Sequence, residues 1–233
     1  FCEGWPLADC LKLARDCGYQ GLEVAPFTLA DSVLDITPAQ RDKVRATAEA
    51  SGVAIIGLHW LLVKPEGLQL LSPAAEVRAA ARDYLIALVD LAADVGRPGA
   101  VLTLGSPAQR RIPDGMSREH ALELLRECLI PVGQRAVERG VKLCLEPLPA
   151  SMTNIMNTAA ETRQVVEFIG HPGIGMMLDV KSMCAEPQSP AGIIAEMAGA
   201  FSHFHANDAN MRGPGTGDVD FVPILRALRA AGY

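Results

Sequence analysis

Two kinds of hydrophobic pattern alternate along the whole chain. Segments in which apolar residues recur every three or four positions predict amphipathic helices, and short runs of mostly apolar residues between them predict buried strands. Gly18, Gly52, Gly96, Gly140 and Gly170 each follow a helical segment, as expected of residues that end helices. The predicted helices span 7–17, 38–51, 73–95, 117–139, 158–169, 190–197 and 223–231. The predicted strands span 20–25, 53–58, 100–104, 141–145, 175–178 and 201–205.

The order of these elements predicts an α/β fold. Strands that are apolar on both faces and are separated by helices are typical of a parallel sheet covered by helices. No linker or change in composition divides the chain, so we expect one domain over residues 1–233. Six strands and seven helices, with a helix at each end, fit a (β/α)8 TIM barrel whose first and last strands lie outside the recorded sequence. The alternative is an open doubly wound sheet, but the sequence lacks the glycine-rich phosphate loop that usually accompanies it.

Composition and charge argue against several classes of function. The 233 residues carry 27 acidic and 21 basic side chains, a net charge of −6 that disfavours nucleic acid as a partner. The longest apolar run, 53–63, is far shorter than the roughly 20 residues that a membrane span needs. The N-terminus shows no signal-peptide pattern. The six cysteines include no Cys-x-x-Cys pair, so we expect reduced thiols and a cytoplasmic protein.

Polar residues cluster where the predicted strands end. In a parallel barrel the carboxyl ends of all strands lie on one rim, so these residues should converge on a single mouth. The residues concerned are Glu23, His59, the segment 106–110, Glu146, Asp179 and His205.

Glu146, Asp179 and His205 form the most informative subset, because they end three consecutive predicted strands. Two carboxylates and an imidazole suit Mn²⁺, Mg²⁺, Co²⁺ or Zn²⁺. The alternative is that each residue merely caps a strand, but three on consecutive strands favour a metal site. His203 lies on the same strand face as His205, and we expect it to be a core histidine with a hydrogen-bond partner. Arg110, with its neighbour Arg111, either binds an anionic group of a substrate or lies in solvent, and we favour the second.

These motifs resemble the xylose-isomerase-like barrel superfamily, in the sugar phosphate isomerase/epimerase branch that includes D-tagatose 3-epimerase. The resemblance covers nearly the whole chain, and the order of LEPL, LDVK and HFHAND is fairly specific for the superfamily. The matching segments are GYQGLEVAPF, GLHWLL, LTLGSPAQR, LEPLPASMTNIMNT, MMLDVKSM and HFHANDANMRGPGTGDVDF.

The resemblance implies one divalent metal ion, commonly Mn²⁺, held by residues at the ends of barrel strands 5 to 8. Glu146, Asp179 and His205 match the first three ligands of the family. The fourth, a glutamate, would follow shortly after Tyr233, beyond the recorded sequence. In the epimerases that glutamate and the strand-5 glutamate form the acid/base pair.

Several positions depart from the epimerase pattern. Ala150 and Met152 stand where the epimerases have an arginine and a second glutamate. Ser182 stands in the place of a substrate-binding histidine, and Met211, followed by Arg212, in the place of an arginine. The metal ligands are therefore retained while the residues that bind the sugar differ.

We expect a metal-dependent isomerase or epimerase of a ketose or sugar phosphate that works by proton transfer through an enediolate. Glu146 would take the α-proton, and a carboxylate on the opposite face would return it. The residues expected to bind the small-molecule substrate are His59, Glu23, Lys181, Asn207 and Asp208.

Three alternatives remain at this point. Metal-dependent dehydration of an inositol- or shikimate-type ketone would use the same ligands. A non-catalytic sugar-binding barrel is favoured somewhat by Met152, Ser182 and Met211. The endonuclease branch of the superfamily needs a histidine-rich three-metal cluster, and five histidines with a negative net charge argue against it. The resemblance alone leads us to expect a homo-oligomer, a dimer or a tetramer.

Overall fold

Six parallel strands form one sheet in a computed structural model that describes residues 4–233. The strands are β1 (Gly21–Val24), β2 (Ala54–Leu58), β3 (Val101–Leu104), β4 (Lys142–Leu145), β5 (Ile174–Asp179) and β6 (Phe201–His205). They lie side by side in the order of the chain, and each pair of neighbours is parallel. This topology confirms the α/β prediction, because a parallel sheet requires a crossover connection between successive strands.

Helices connect the strands, and most of them begin at a side chain that accepts a hydrogen bond from the first turn. The helices are α1 (Leu7–Asp16), α2 (Pro38–Ser51), α3 (Ala75–Val95), α4 (Arg118–Arg139), α5 (Ala159–Ile169), α6 (Val180–Met183), α7 (Pro190–Glu196) and α8 (Phe221–Ala230). The capping residues are Thr37, Ser117, Thr158, Asp179, Ser189 and Asp220. Gly52, Gly140 and Gly170 end their helices in the left-handed conformation, which glycine adopts without steric cost.

The sheet curls until its first and last strands face each other. Glu23 on β1 hydrogen-bonds to His203 and His205 on β6, although these two strands are not neighbours in the sheet. Gly57 on β2 allows β3 to approach closely, since a Cβ there would lie 2.6 Å from the carbonyl oxygen of Val101. The sheet is therefore barrel-like, with the predicted rim residues around one end.

The main hydrophobic core lies between the outer face of the sheet and the helices. Leu88 and Leu91 of α3 and Leu125 and Leu129 of α4 are completely buried. Burial of such a side chain contributes roughly 1.5–3 kcal/mol to folding. This packing holds the strands in place independently of the polar residues at the rim.

All of the predicted helices and strands are present, and their ends lie within two residues of the predicted ones. Helix α8 begins at Phe221 rather than at 223, because Asp220 accepts a hydrogen bond from the N–H of Val222. Helix α6 is the one α-helix of residues 4–233 that periodicity did not predict, since four residues are too few to show a period. Two short 3₁₀ turns after β1, Pro26–Thr28 and Val33–Asp35, were also not predicted.

No helix within residues 4–233 has both the length and the apolar character needed to cross a membrane.

Candidate active site

The carboxyl ends of β4, β5 and β6 bring three of the predicted residues together. Glu146 follows β4 directly, and Asp179 and His205 are the last residues of β5 and β6. Asp179 lies opposite His205 in the register of these two strands. One potential ligand atom from each of the three side chains lies within 4.8 Å of the other two. Two carboxylates and one imidazole therefore face a common point.

Asp179 is oriented by the short helix that follows it. Its Oδ1 accepts a hydrogen bond of 2.8 Å from the backbone N–H of Ser182, so Asp179 caps α6. Its Oδ2 lies 3.8 Å from Nδ1 of His205. Only 4% of the residue is exposed. One oxygen is thus used by the backbone, and the other remains directed toward His205.

Glu146 fits into the site only because a glycine lies beside it. A Cβ on Gly105 would overlap the carboxylate, chiefly Oε2. Burial is the main factor that raises the pKa of Glu146 to about 7, and the charge of Asp179 adds to it. His205 and Arg110 act in the opposite direction. The carboxyl of Glu146 is therefore harder to ionise than that of an exposed glutamate.

Glu23 accepts hydrogen bonds from two histidines of β6. Nε2 of His205 lies 3.3 Å from Oε1 and 3.2 Å from Oε2, and Nε2 of His203 contacts Oε1. Burial opposes ionisation of this carboxyl, but the two histidines outweigh burial and hold the pKa of Glu23 well below its usual value. Burial also opposes ionisation of His205, but the hydrogen bond to Glu23 and its charge outweigh burial. The pKa of His205 is therefore raised.

The two ring nitrogens of His205 face different partners. With its proton on Nε2, the ring donates to Glu23 and directs the lone pair of Nδ1 toward Asp179. This is the tautomer that a metal-binding histidine needs, and a carboxylate on its other nitrogen is the usual means of fixing it. Ligand atoms of Glu23, His203 and His205 also lie within 4.8 Å of one another. Glu23 is hydrogen-bonded to both histidines, however, so the Glu146 group is the better candidate for a metal site.

The Glu146, Asp179 and His205 group fits a divalent cation. Ligand atoms that share one ion at about 2.0–2.2 Å can lie at most about 4.4 Å apart. The three atoms here lie within 4.8 Å of one another, and Oδ2 of Asp179 lies 3.8 Å from Nδ1 of His205. Nitrogen and carboxylate oxygen are ligands that Mn²⁺ and Zn²⁺ accept. A cation at this point would also offset the charge of Asp179, which adds to the effect of burial on the pKa of Glu146.

Arg110 is completely buried, which corrects the expectation that it lies in solvent. Its Nη1 donates to the carbonyl oxygen of Leu104 at 3.3 Å. Its Nε and Nη2 have no hydrogen-bond partner among residues 4–233. Burial lowers the pKa of Arg110 to about 10, while Glu146 and Glu161 act to raise it, so the guanidinium stays charged at neutral pH. Arg110 is thus a fixed positive charge that favours the ionised form of Glu146.

His59 and Lys181 also lie at this end of the sheet. His59 follows β2, and its backbone N–H donates to the carbonyl oxygen of Val24 at 3.2 Å. Burial lowers the pKa of His59, so its imidazole is neutral at pH 7. Nζ of Lys181 lies 3.9 Å from Sδ of Met152.

Asn207 and Asp208 are both occupied by the backbone. Oδ1 of Asn207 accepts the N–H of Lys181 at 3.2 Å. Asp208 is completely buried, and its two oxygens accept the N–H groups of Ala209 at 2.8 Å and Gly217 at 2.9 Å. Both side chains hold loops at the rim, and their contact with substrate stays a prediction.

The link between Glu23 and the two histidines was not predicted from the sequence. The spacing of His203 and His205 puts both imidazoles on one strand face, where each requires an acceptor. That signal was available, but the acceptor lies 180 residues away in sequence. The burial of Arg110 and the space beside Gly105 had no comparable signal.

Comparison with known proteins agrees with this fold. The family model of the xylose isomerase-like TIM barrel matches residues 11–233. The L-ribulose 3-epimerase of Mesorhizobium japonicum is 32% identical over 97% of this chain and 72% of its own. The D-psicose 3-epimerase of Ruminiclostridium cellulolyticum is 29% identical over 95% of this chain and 73% of its own. The crystal structure of a D-psicose 3-epimerase in the presence of D-fructose superposes with a TM-score of 0.84, at 22% identity, over 99% of this chain and 77% of the other. The chain belongs to the xylose isomerase-like TIM barrel family.

Proposed function

We propose that the protein is a divalent-metal-dependent epimerase or isomerase of a ketose or sugar phosphate, and that residues 1–233 act as one barrel domain. The convergence of Glu146, Asp179 and His205 at the ends of consecutive strands carries the proposal. The names of the relatives, L-ribulose and D-psicose 3-epimerases, support a keto sugar as the substrate. We assign Glu146, Asp179 and His205 as ligands of the ion, with Mn²⁺ as the preferred metal.

Each residue of the group has a distinct role in this proposal. When bound, a divalent cation supplies a Lewis acid that polarises the substrate carbonyl. Glu146 takes the proton from the carbon next to that carbonyl, because it is the group carboxylate whose oxygens are not engaged by a helix cap or a histidine. Asp179 acts as a ligand through Oδ2, since its Oδ1 accepts the N–H of Ser182 at the start of α6.

Residues around the group position the ligands and the substrate. Glu23 acts as a positioning residue that fixes the tautomer of His205, which replaces its earlier assignment as a substrate-binding residue. His59, neutral and beside the group, donates a hydrogen bond to a substrate hydroxyl. Lys181, beside Met152 at the rim, binds the polar end of the substrate.

The first test is exchange of the substrate α-proton with solvent. The full chain loaded with Mn²⁺ is expected to incorporate deuterium from D₂O at C3 of D-psicose or L-ribulose, because exchange needs only the first half of the reaction. Glu146→Gln should slow exchange by roughly 10²-fold or more, the usual contribution of a general base. Glu138→Gln, on the exposed side of α4, is the matched control and should leave the rate unchanged. Mass spectrometry measures the exchange.

Removal of the metal should have the same effect as loss of the base. A chelator is expected to stop exchange, and added Mn²⁺ should restore it. Exchange that survives both the chelator and Glu146→Gln would contradict the proposal. Loss of water from the substrate would instead indicate a dehydratase, and metal and sugar binding without exchange a non-catalytic barrel.

A second prediction follows from the space beside Glu146. Gly105→Ala should displace the carboxylate and weaken Mn²⁺ binding by at least about tenfold, because the new methyl group overlaps Oε2. Gly213→Ala is the matched control, since a Cβ there meets nothing within 4 Å. Isothermal titration calorimetry measures the affinity. Equal Mn²⁺ affinities in both variants would show that Glu146 is not a ligand.

A third prediction concerns the support of His205. Glu23→Gln removes the charge that holds the Nε2 proton, so Mn²⁺ affinity should fall about 10- to 100-fold. Glu167→Gln, an exposed carboxylate paired with Arg163, is the control. Circular dichroism identifies any variant that does not fold. A folded Glu23→Gln protein that binds Mn²⁺ as tightly as the unaltered chain would refute the positioning role.

A further inference from the structure

Trp60 has an unusual backbone conformation and an unusual exposure. Its φ of 57° lies in the left-handed region, which a bulky residue rarely adopts. It is also 58% exposed. The next two residues, Leu61 and Leu62, are at most 1% exposed. The chain thus turns Trp60 outward at the point where the rest of the loop enters the core.

A second aromatic residue lies beside Trp60. The ring of Phe27, in the turn after β1, has its centroid 6.2 Å from that of Trp60 at an interplanar angle of 49°. The two residues come from successive loops at the same rim of the sheet. An ion pair between Lys64 and Asp31, at 3.8 Å, links the same two loops. Trp60 and Phe27 therefore form an open aromatic surface, which we call the aromatic platform.

The aromatic platform borders the candidate metal group. His59 immediately precedes Trp60, and their ring centroids are 6.4 Å apart. The backbone N–H of His59 donates to the carbonyl oxygen of Val24 at 3.2 Å, and Val24 directly follows Glu23, which binds His205. A molecule bound at the group would thus extend from the carboxylates past His59 to the face of Trp60.

Packing of the protein does not account for the aromatic platform. A glycine would adopt a φ of 57° without strain, and a polar residue would suit an exposed position better than Trp60 does. A strained, exposed aromatic residue beside a polar site is instead typical of ligand binding.

We infer that Trp60 and Phe27 bind the C–H face of the substrate sugar, while its carbonyl end lies at Glu146, Asp179 and His205. A sugar has hydroxyl groups for the polar group and an apolar C–H face for an aromatic ring. The inference rests on the proposed function for the class of ligand, and it makes Trp60 a specificity-determining residue. Small, rigid aromatic contacts of this kind select the shape of the substrate end that is remote from the reaction.

Fluorescence tests the inference directly, because Trp5 and Trp60 are the two tryptophans of the sequence. In Trp5→Phe all tryptophan emission comes from Trp60. Titration with D-psicose and with L-ribulose, in the presence of Mg²⁺ to avoid quenching by Mn²⁺, should change this emission saturably. Trp60→Phe, in which Trp5 alone emits, is the matched control and should not respond. Emission of Trp60 that stays constant up to the solubility limit of both sugars would overturn the inference.

Trp60→Gly separates ligand binding from folding. Glycine relieves the left-handed strain but raises the entropy of the unfolded chain by a similar amount, so this variant should melt within a few degrees of the unaltered chain. Its KM for the keto sugar should nevertheless rise roughly tenfold. Tyr19→Ala, at an equally exposed aromatic residue before the amino end of β1, should leave KM unchanged. A destabilised Trp60→Gly with unchanged KM would assign Trp60 to folding and overturn the inference.

Two further outcomes are distinguishable. A saturable response of Trp60 without any proton exchange would support the aromatic platform and contradict the proposed epimerase activity. If light scattering showed that a dimer dissociates in Trp60→Gly while KM is unchanged, a second copy of the chain, and not the sugar, would be the occupant, which overturns the inference.

Discussion

The carboxylate of Glu23 connects the two ends of the sheet. Strands β1 and β6 are the first and last of the sheet and share no backbone ladder, yet Glu23 on the first binds His203 and His205 on the last. Such partly buried, charge-assisted hydrogen bonds are stronger than neutral ones and less screened by salt than exposed pairs. The interaction therefore links the two ends of the curled sheet and fixes the orientation of His205 at the same time. The geometry of the candidate site at this rim depends on one residue.

The rest of the site is governed by the balance between the charges of its carboxylates and the charge of Arg110. Glu146 and Asp179 lie close together in surroundings that exclude most water, and burial of unpaired charge is costly. The protein places Arg110 behind them, without a carboxylate of its own to pair with among residues 4–233. The pKa of Glu146 is nevertheless raised to about 7, because burial of the carboxyl and the charge of Asp179 outweigh Arg110 and His205. A divalent cation at the rim would offset the charges of both carboxylates.

The sequence predicted the elements and the main candidate residues because both depend on local patterns. Apolar runs mark buried strands, and residues at their carboxyl ends share a rim in any parallel barrel. Glu146, Asp179 and His205 could therefore be found together without knowledge of the structure. The role of Glu23 could not, because its partner is chosen by the curl of the whole sheet. Arg110 was misjudged because an arginine in a loop is usually solvated, and its burial depends on tertiary packing. The left-handed conformation of Trp60 could not be predicted from the local pattern of apolar and polar residues.

The central claim is that Glu146, Asp179 and His205 hold the metal while Glu23 supports it from behind. Anomalous diffraction from a crystal of the full chain soaked in Mn²⁺ tests this claim most directly. The account predicts one peak within about 2.0–2.4 Å of Nδ1 of His205 and of carboxylate oxygens of Glu146 and Asp179, with Nε2 still donating to Glu23. A peak bound to Glu23 and Nε2 of His203 or His205, or no peak at saturating Mn²⁺, would contradict it.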